Sequence, residues 1–419
     1  MLGLADCNNF FVSCERSVDP SLEGKAVVVL SNNDGCVVAR SNESKRMGVK
    51  MGQPAFELKD QIRSGALIAL SGNHLLYREI SLKVHDIFRR YAPSTLDYSI
   101  DEAFLDMDTI PLSNLIEIGE SMCDACLREA GVPVTIGFAP TKTLSKIVCE
   151  AGKKCGRRVS LSPTANDARP LMETLPIQEL WGVGRRLTKK LYQKGIFTIA
   201  DFADRDLNWV RSLMGVTGER SWMELHGHPC IELSHVDQLL QDSISETRTF
   251  PEDITDYDYV RARIAIYSAD CCRKLRAMKG VCRSVTVMLR TNRFRAGAYL
   301  APEATTLLPD FTADSSTVVA AAISLLDHIW RRDTGYKRAG VLLTDIRPAS
   351  SVTPSLFNMT YEDPLPQRNK RLLDVIDGLN DITGHSKIRL ASQMTAYQKG
   401  HNDGYSSSFG APFDPKKKS

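Results

Sequence analysis

No stretch of the chain approaches the roughly 18 consecutive apolar residues that a membrane span requires. The opening MLGLADCNNFF also has no basic segment ahead of a cleavable apolar one. A secreted or membrane-spanning protein is therefore not expected. Cysteine is sparse, eleven in 419 residues at no disulfide-framework spacing, which points to a reduced, cytoplasmic compartment. Cys123 and Cys126 form a lone Cys-x-x-Cys, and with no second ligand pair at suitable spacing a structural zinc site is not expected. Internal repeats are absent. So is a dominant sign of charge: 53 Lys and Arg face 50 Asp and Glu, for a net charge of +3. What is present, 43% hydrophobic and 25% charged residues, is ordinary for a globular chain and excludes a largely disordered one. The length suggests roughly two to four domains.

The near-zero total hides local excess. Residues 142–158 carry six Lys/Arg against Glu150, residues 182–194 carry five and no acid, and residues 260–295 carry ten against Asp270. Any one segment reads as a solvated helix face. Together they suggest basic surfaces that track a polyanion, with nucleic acid the favoured partner.

Element order comes from periodicity and turn chemistry. A buried strand from Leu2 to Ala5 ends in Asp6. A hairpin joins Ala26–Leu30 to Cys36–Ala39 through Asp34-Gly35, and a helix over 41–47 stops at Gly48. Leu76, Ile80, Val84, Ile87, Phe88 and Tyr91 predict an amphipathic helix over 74–91. A hairpin over 96–107, a helix within 112–130, an alternating strand over 132–138 and a helix opening at Thr141 follow. This order predicts an α+β sheet layered by helices. Residues 160–233 read as helical, 233–241 as a polar linker, and 242–348 as a second α+β domain with strands around Val285–Leu289 and Ala339–Ile346 and helices at 256–279 and 315–332. Residues 349–419 are polar and read as a partly disordered tail.

Asp6 closes a buried strand, and Asp101-Glu102 lies in the hairpin segment YSIDEAFLD. Neighbours on a flat strand point to opposite faces, so Asp101 and Glu102 converge only at a kink, which apolar Ile100, Ala103 and Phe104 are expected to hold. Clustered carboxylates call for a hard divalent ion such as Mg²⁺, and two such ions suit phosphoryl transfer. An Asp-Glu pair can equally be a solvated turn, the reading given to Asp106 and Asp108. From Thr141 onward, Lys142, Lys146 and Lys153 fall at spacings of four and seven and share a helix face, as a metal-bridged triphosphate would require. Arg40 and Lys45 can reach the same phosphates. Such a face can also serve solubility alone. Leu180-Trp181-Gly182-Val183-Gly184 before a helix with Arg185 and Arg186 looks like a helix-hairpin-helix motif, whose glycines admit a DNA phosphate to backbone N–H groups. A tight turn between helices is the plainer alternative.

LADCNNFFVSCE, LSNNDGCVVARS, YSIDEAFLD and TIGFAPTKTLSKI together resemble Y-family translesion DNA polymerases, in order and over residues 1 to about 400, with SNNDGC closest to the UmuC branch. The resemblance implies a right-hand architecture: a palm (1–10 and 74–162), small fingers (11–73), a helical thumb with the helix-hairpin-helix (163–233), an α+β little finger (242–348) and a UmuC-type tail (349–419). It makes Asp6, Asp101 and Glu102 the catalytic carboxylates, holding two Mg²⁺ ions with the Cys7 carbonyl. Phe11 falls at the steric gate that excludes a ribose 2′-OH. Arg40, Lys45 and Lys153 match triphosphate positions, while Asn42 stands where many relatives have Tyr. Lys146, Gly182, Gly184, Arg185 and Arg186 are assigned to DNA.

The reaction expected is attack of a primer 3′-OH on the α-phosphate of a dNTP, in an SOS-type damage response. Carboxylates alone leave a two-metal nuclease level with a polymerase; Phe11 and the lysine face favour the polymerase. A polymerase IV-like enzyme and a non-catalytic DNA-binding repair scaffold are the alternatives. Family partners are primer-template DNA, a UmuD-type dimer, RecA and the sliding clamp, in the cytoplasm at the nucleoid. Leu356 and Phe357, in a segment where Thr353 replaces the usual glutamine, are the candidate clamp anchor.

Overall fold

The computed structural model describes residues 1–31, 35–232, 241–295, 298–351 and 365–383, with Ile388 and Ala391. The chain divides into two compact units, Met1–His235 and Val236–Ser419.

The first unit opens with β1 (Leu2–Cys7), α1 (Phe10–Val18), β2 (Val27–Leu30), β3 (Val37–Arg40), α2 (Asn42–Arg46), α3 (Lys59–Arg63) and β4 (Ile68–Ser71). It continues with α4 (His74–Tyr91), β5 (Ser94–Asp97), β6 (Glu102–Asp106), α5 (Leu115–Ala130), β7 (Val134–Ala139), α6 (Lys142–Lys154) and β8 (Val159–Leu161). A five-stranded sheet runs β5-β6-β1-β7-β8 and a three-stranded one β3-β2-β4. Strand β1 is central and antiparallel to both neighbours, so its last residues lie at one edge of the sheet opposite the first residue of β6. Both expected hairpins form, β2–β3 and β5–β6; the Asn32–Asp34 turn lies outside the described residues.

Strand β7 is buried at every position rather than alternating, because helices cover one of its faces and the packed core the other. Gly137 is what lets α6 lie on it. A Cβ there would stand 2.3 Å from the Cys149 nitrogen and 2.6 Å from the Ser145 carbonyl oxygen. The backbone of α6 thus rests directly on the strand, fixing where its lysines fall.

Residues 165–225 are helical: α7 (Ala165–Thr174), α8 (Arg185–Tyr192), α9 (Ile199–Ala203) and α10 (Leu207–Leu225), the last broken at Gly215, φ 64°. Thr164 and Thr198 start α7 and α9 with capping boxes completed by Asp167 and Asp201. The buried Glu224 carboxylate accepts from the Thr143, Cys230 and Ile231 N–H groups, tying the end of this helical part to the start of α6.

The second unit contains β9 (Ile244–Ile254), α11 (Tyr257–Ala277), β10 (Gly280–Thr291), β11 (Glu303–Thr312), α12 (Ser315–Ile329), β12 (Tyr336–Pro348) and α13 (Leu365–Thr383). Its antiparallel sheet runs β11-β10-β12-β9. Helices α11 and α12 share one core with the strands, which is why β10 alternates buried and half-exposed residues. The 365–383 stretch, expected to be part of a disordered tail, is helical, and the Asp377 carboxylate takes two bonds from the Arg276 guanidinium at 2.7 and 2.9 Å. The 353–357 segment with Leu356 and Phe357 lies outside the described residues.

Half of the basic excess over 260–295 is buried or paired within the fold, while Lys279 and Arg293 are exposed. Arg263 is buried, while Lys274, Arg276, Arg290 and Arg295 pair with Glu246, Asp377, Glu303 and Asp253. Sequence charge counting misses partners that the fold brings from distant residues. Cys123 and Cys126 are both buried, and burial pushes both thiols up to about 12, as for inert core cysteines.

Candidate active site

Asp6, next to last in β1, pairs in register with Glu102, the first residue of β6. The Cys7 N–H donates to the Asp101 carbonyl at 2.9 Å, so the end of β1 is sewn to the turn just before β6. That turn is the expected kink, and Ala103 and Phe104 beside it are buried as expected, but the third apolar neighbour is not. Ile100 is exposed. The Ser99 hydroxyl accepts from the Asp101 and Glu102 N–H groups, at 3.2 and 3.0 Å, and donates to the Asp101 carboxylate at 2.6 Å. Ser81 Oγ ties the Ile100 carbonyl to α4 at 2.6 Å. Neither serine was foreseen; a Ser two residues before an Asp in a hairpin is the local signal for such a turn.

Helix α6 supplies the counter-charge. Lys153 Nζ stands 2.5 Å from Asp6 Oδ1, and Lys146 Nζ stands 2.8 Å from Glu102 Oε1. Lys142 does not join them, donating instead to the Ile231 carbonyl at 2.7 Å. Lys146, expected on DNA, is held at the carboxylates. Burial pushes the Asp6 carboxyl up to about 7 despite Lys153, with Glu102 and Asp101 adding repulsion. Burial opposes the Lys153 charge, yet Asp6 beside it keeps the ammonium above its ordinary range.

Among the described residues no three ligating side chains stand ready as a metal cage; the carboxylates are engaged by Lys153, Lys146 and Ser99. The donor set nevertheless fits a hard divalent cation. It consists of carboxylate oxygens, and Asp6 is buried among like charges that a cation would relieve.

A second group of cations borders Asp6. Arg40 Nη1 donates to the Val49 carbonyl at 2.8 Å, and its buried Nε has no hydrogen-bond partner among the described residues. Lys45 Nζ donates to Asn9 Oδ1 at 2.6 Å. Burial lowers the Lys45 pKa, and the nearby Arg40 and Lys153 charges lower it further. The Lys45 ammonium thus feels two like charges at once, a repulsion that an anion would relieve. Asn9, in the left-handed conformation at φ 49°, also donates to Asn42 Oδ1 at 3.1 Å. It joins the end of β1 to α2, a role the sequence reading did not assign; an Asn at a strand-to-helix turn was the available signal.

Phe11 lies half-buried near the start of α1, stacked on Tyr77 at 4.3 Å and 13° and edge-on to His74. Tyr77 is fully buried, and its hydroxyl donates to the buried Glu15 at 2.8 Å. The Phe11 ring therefore rests on a fixed floor. Leu180, Val183 and Leu191 are buried, whereas Gly182, at φ 89°, Gly184, Arg185 and Arg186 are exposed where α8 begins. A groove of about 770 Å³ beside them is lined by Gly184, Arg185, Thr188, Lys189 and Tyr192 among others.

Residues 5–150 match the impB/mucB/samB family, 241–356 that family's C-terminal domain, and 165–196 the IMS family HHH motif. The chain is 35% identical to protein UmuC of Salmonella typhimurium strain LT2, covering 95% of this chain and 94% of that protein. It is 33% identical to protein MucB of Escherichia coli, covering 94% and 93%. A solved Y-family DNA polymerase chimera of Dbh has the same fold, with TM-score 0.68 and 22% identity over 82% of this chain and 98% of that one. Together with 29% identity to DNA polymerase IV of Pelotomaculum thermopropionicum, covering 94% of this chain and 95% of that protein, these likenesses define a DNA-directed DNA polymerase of the Y family. Within that class, the chain belongs to the impB/mucB/samB family, the group of UmuC, and its activity is translesion DNA synthesis. Among the described residues, no helix is long and apolar enough to cross a membrane.

Proposed function

We propose that nucleotide addition takes place at the β1–β6 strand ends, with Asp6, Asp101 and Glu102 as the catalytic carboxylates. The observation that carries this reading is the pairing of Asp6 with Glu102, with Asp101 adjacent, beside the Arg40, Lys45 and Lys153 cations. A nuclease has no use for that second cation group; a dNTP triphosphate does. Two Mg²⁺ ions held by the three carboxylates and the Cys7 carbonyl would supply Lewis-acid activation of the primer 3′-OH and charge neutralisation on the leaving pyrophosphate.

The remaining roles belong to the chain itself. Arg40, Lys45 and Lys153 hold the triphosphate, with Lys153 giving up Asp6 when the phosphates arrive. Phe11, braced by Tyr77, lies beneath the sugar and rejects a 2′-OH. Gly182, Gly184, Arg185 and Arg186 grip the DNA backbone and carry little sequence information. The palm is assigned to 1–10 and 74–162, the fingers to 11–73, the thumb to 163–233, the little finger to 242–348 and the tail to 349–419. A UmuD-type dimer, RecA and the sliding clamp are the proposed partners, in the cytoplasm at the nucleoid. Primer extension past an abasic template site tests this reading. The parent chain should extend with Mg²⁺ and dNTPs, and Glu102→Ala should not; equal extension by both places the chemistry elsewhere.

A further inference from the structure

Lys146 is held by more than its carboxylate. Its ammonium lies 4.8 Å from the centroid of the Tyr98 ring, 5.7 Å from Trp181 and 5.8 Å from Phe104. All three fall within the ~6 Å reach of cation–π attraction. The rings brace one another. Tyr98 meets Phe104 edge-on at 5.5 Å and Trp181 at 5.5 Å and 83°, and the Trp181 indole N–H donates to the Tyr98 hydroxyl at 3.1 Å. Lys146 and Glu102 are only 18% and 19% exposed, so the attraction acts with little water between. Tyr98 and Phe104 flank the Asp101-Glu102 turn, whereas Trp181 arrives from the Gly-apolar-Gly turn that opens α8, 83 residues further along the chain.

We propose that Tyr98, Phe104 and Trp181 form a resting seat for the Lys146 ammonium. When a divalent ion takes Glu102, Lys146 must surrender its ion pair, and a free ammonium beside an incoming cation would repel it. The three ring faces already touch the ammonium in its ion pair and would keep it stabilised, turned away from the carboxylate, once Glu102 goes to the metal. Trp181 is thereby a positioning residue that acts through Lys146. The same turn presents exposed Arg185 and Arg186 to solvent and closes the seat from the other side, so it links the helical part to Glu102. This inference rests on the reading of Glu102 as a metal ligand.

The test is a Mg²⁺ titration of the full chain without DNA or nucleotide, read as the metal-dependent rise in melting temperature. Trp181→Leu should raise the Mg²⁺ midpoint about three- to tenfold, in line with removal of one ring face. Trp181→Phe, which keeps an aromatic face and guards against misfolding, should stay near the parent. In a Lys146→Met background, where no ammonium needs a seat, Trp181→Leu should leave the midpoint unmoved. An unchanged midpoint in Trp181→Leu, or a shift that persists without Lys146, overturns the seat and leaves Trp181 as core packing. Glu102→Ala separates the two readings. If it binds Mg²⁺ like the parent, the metal-site reading fails and the seat with it; if it loses Mg²⁺ while Trp181→Leu matches the parent, the seat alone fails.

Discussion

Replacing Gly137 with Ala tests how strictly the strand fixes the lysines. The added methyl would stand 2.3 Å from the Cys149 nitrogen, 2.6 Å from the Ser145 carbonyl and 2.8 Å from the Cys149 Cα. All three are backbone atoms of α6, so no side chain can swing aside. The helix must move off β7 by close to an ångström, carrying Lys146 and Lys153 with it. Overpacking of this kind costs about 1–3 kcal/mol, which at about 2–4 °C per kcal/mol lowers the melting temperature of a unit this size by several degrees. Misplacement by ~1 Å at a reacting centre can cost on the order of 100-fold in rate. Gly137→Ala should therefore lose far more single-turnover nucleotide addition than its folded fraction accounts for, measured at a temperature where parent and variant are both folded. The reasoning is refuted if the variant melts with the parent or if the rate follows the folded fraction alone.

Phe11→Ala should raise ribonucleotide relative to deoxyribonucleotide incorporation, because the 4.3 Å stack on Tyr77 fixes the ring; steady-state efficiencies with each nucleotide check it, and an unchanged ratio makes Phe11 a core residue. Arg185→Ala/Arg186→Ala should weaken DNA binding evenly across sequences and flatten the log–log salt dependence by about 0.9 for each duplex phosphate no longer neutralised; an unchanged slope means neither arginine touches the backbone. Burial, only partly offset by Lys153, lifts Asp6 to about 7, so the folded chain keeps a proton that the unfolded chain loses near pH 4. The Asp6 contribution to stability is thus full below about pH 4 and is lost as pH rises to about 7. Metal-free melting should show that decline between pH 5 and 7, Asp6→Asn should remove it, and identical profiles would contradict the assignment.

The parts of the site carried by local pattern were legible in advance. Asp6 ends an apolar run, Asp101-Glu102 interrupts a hairpin, and Lys146 and Lys153 repeat at helical spacing, so each pointed to its element without tertiary information. Their destinations were not legible. The spacing that puts Lys142 on the same face cannot tell that Ile231 waits for it, and the approach of Trp181 to Tyr98 joins segments 83 residues apart. Strand β11 escaped notice because its exposed outer face, with Glu303, Thr305, Leu307 and Asp310, breaks up the apolar signal. Polar composition likewise concealed α13, whose Asp377 pairs with Arg276, 101 residues away. Short-range chemistry writes turns, caps and faces into the chain; which faces meet is decided by packing.

The most direct test of the account is single-turnover dNTP addition by Asp101→Ala, with primer-template affinity measured on the same preparation. The carboxylates are proposed to serve chemistry, and exposed basic residues such as Arg185 and Arg186 to hold the DNA. The account therefore predicts that Mg²⁺-dependent addition is abolished while DNA affinity stays within about twofold of the parent. Near-normal addition by Asp101→Ala would contradict it.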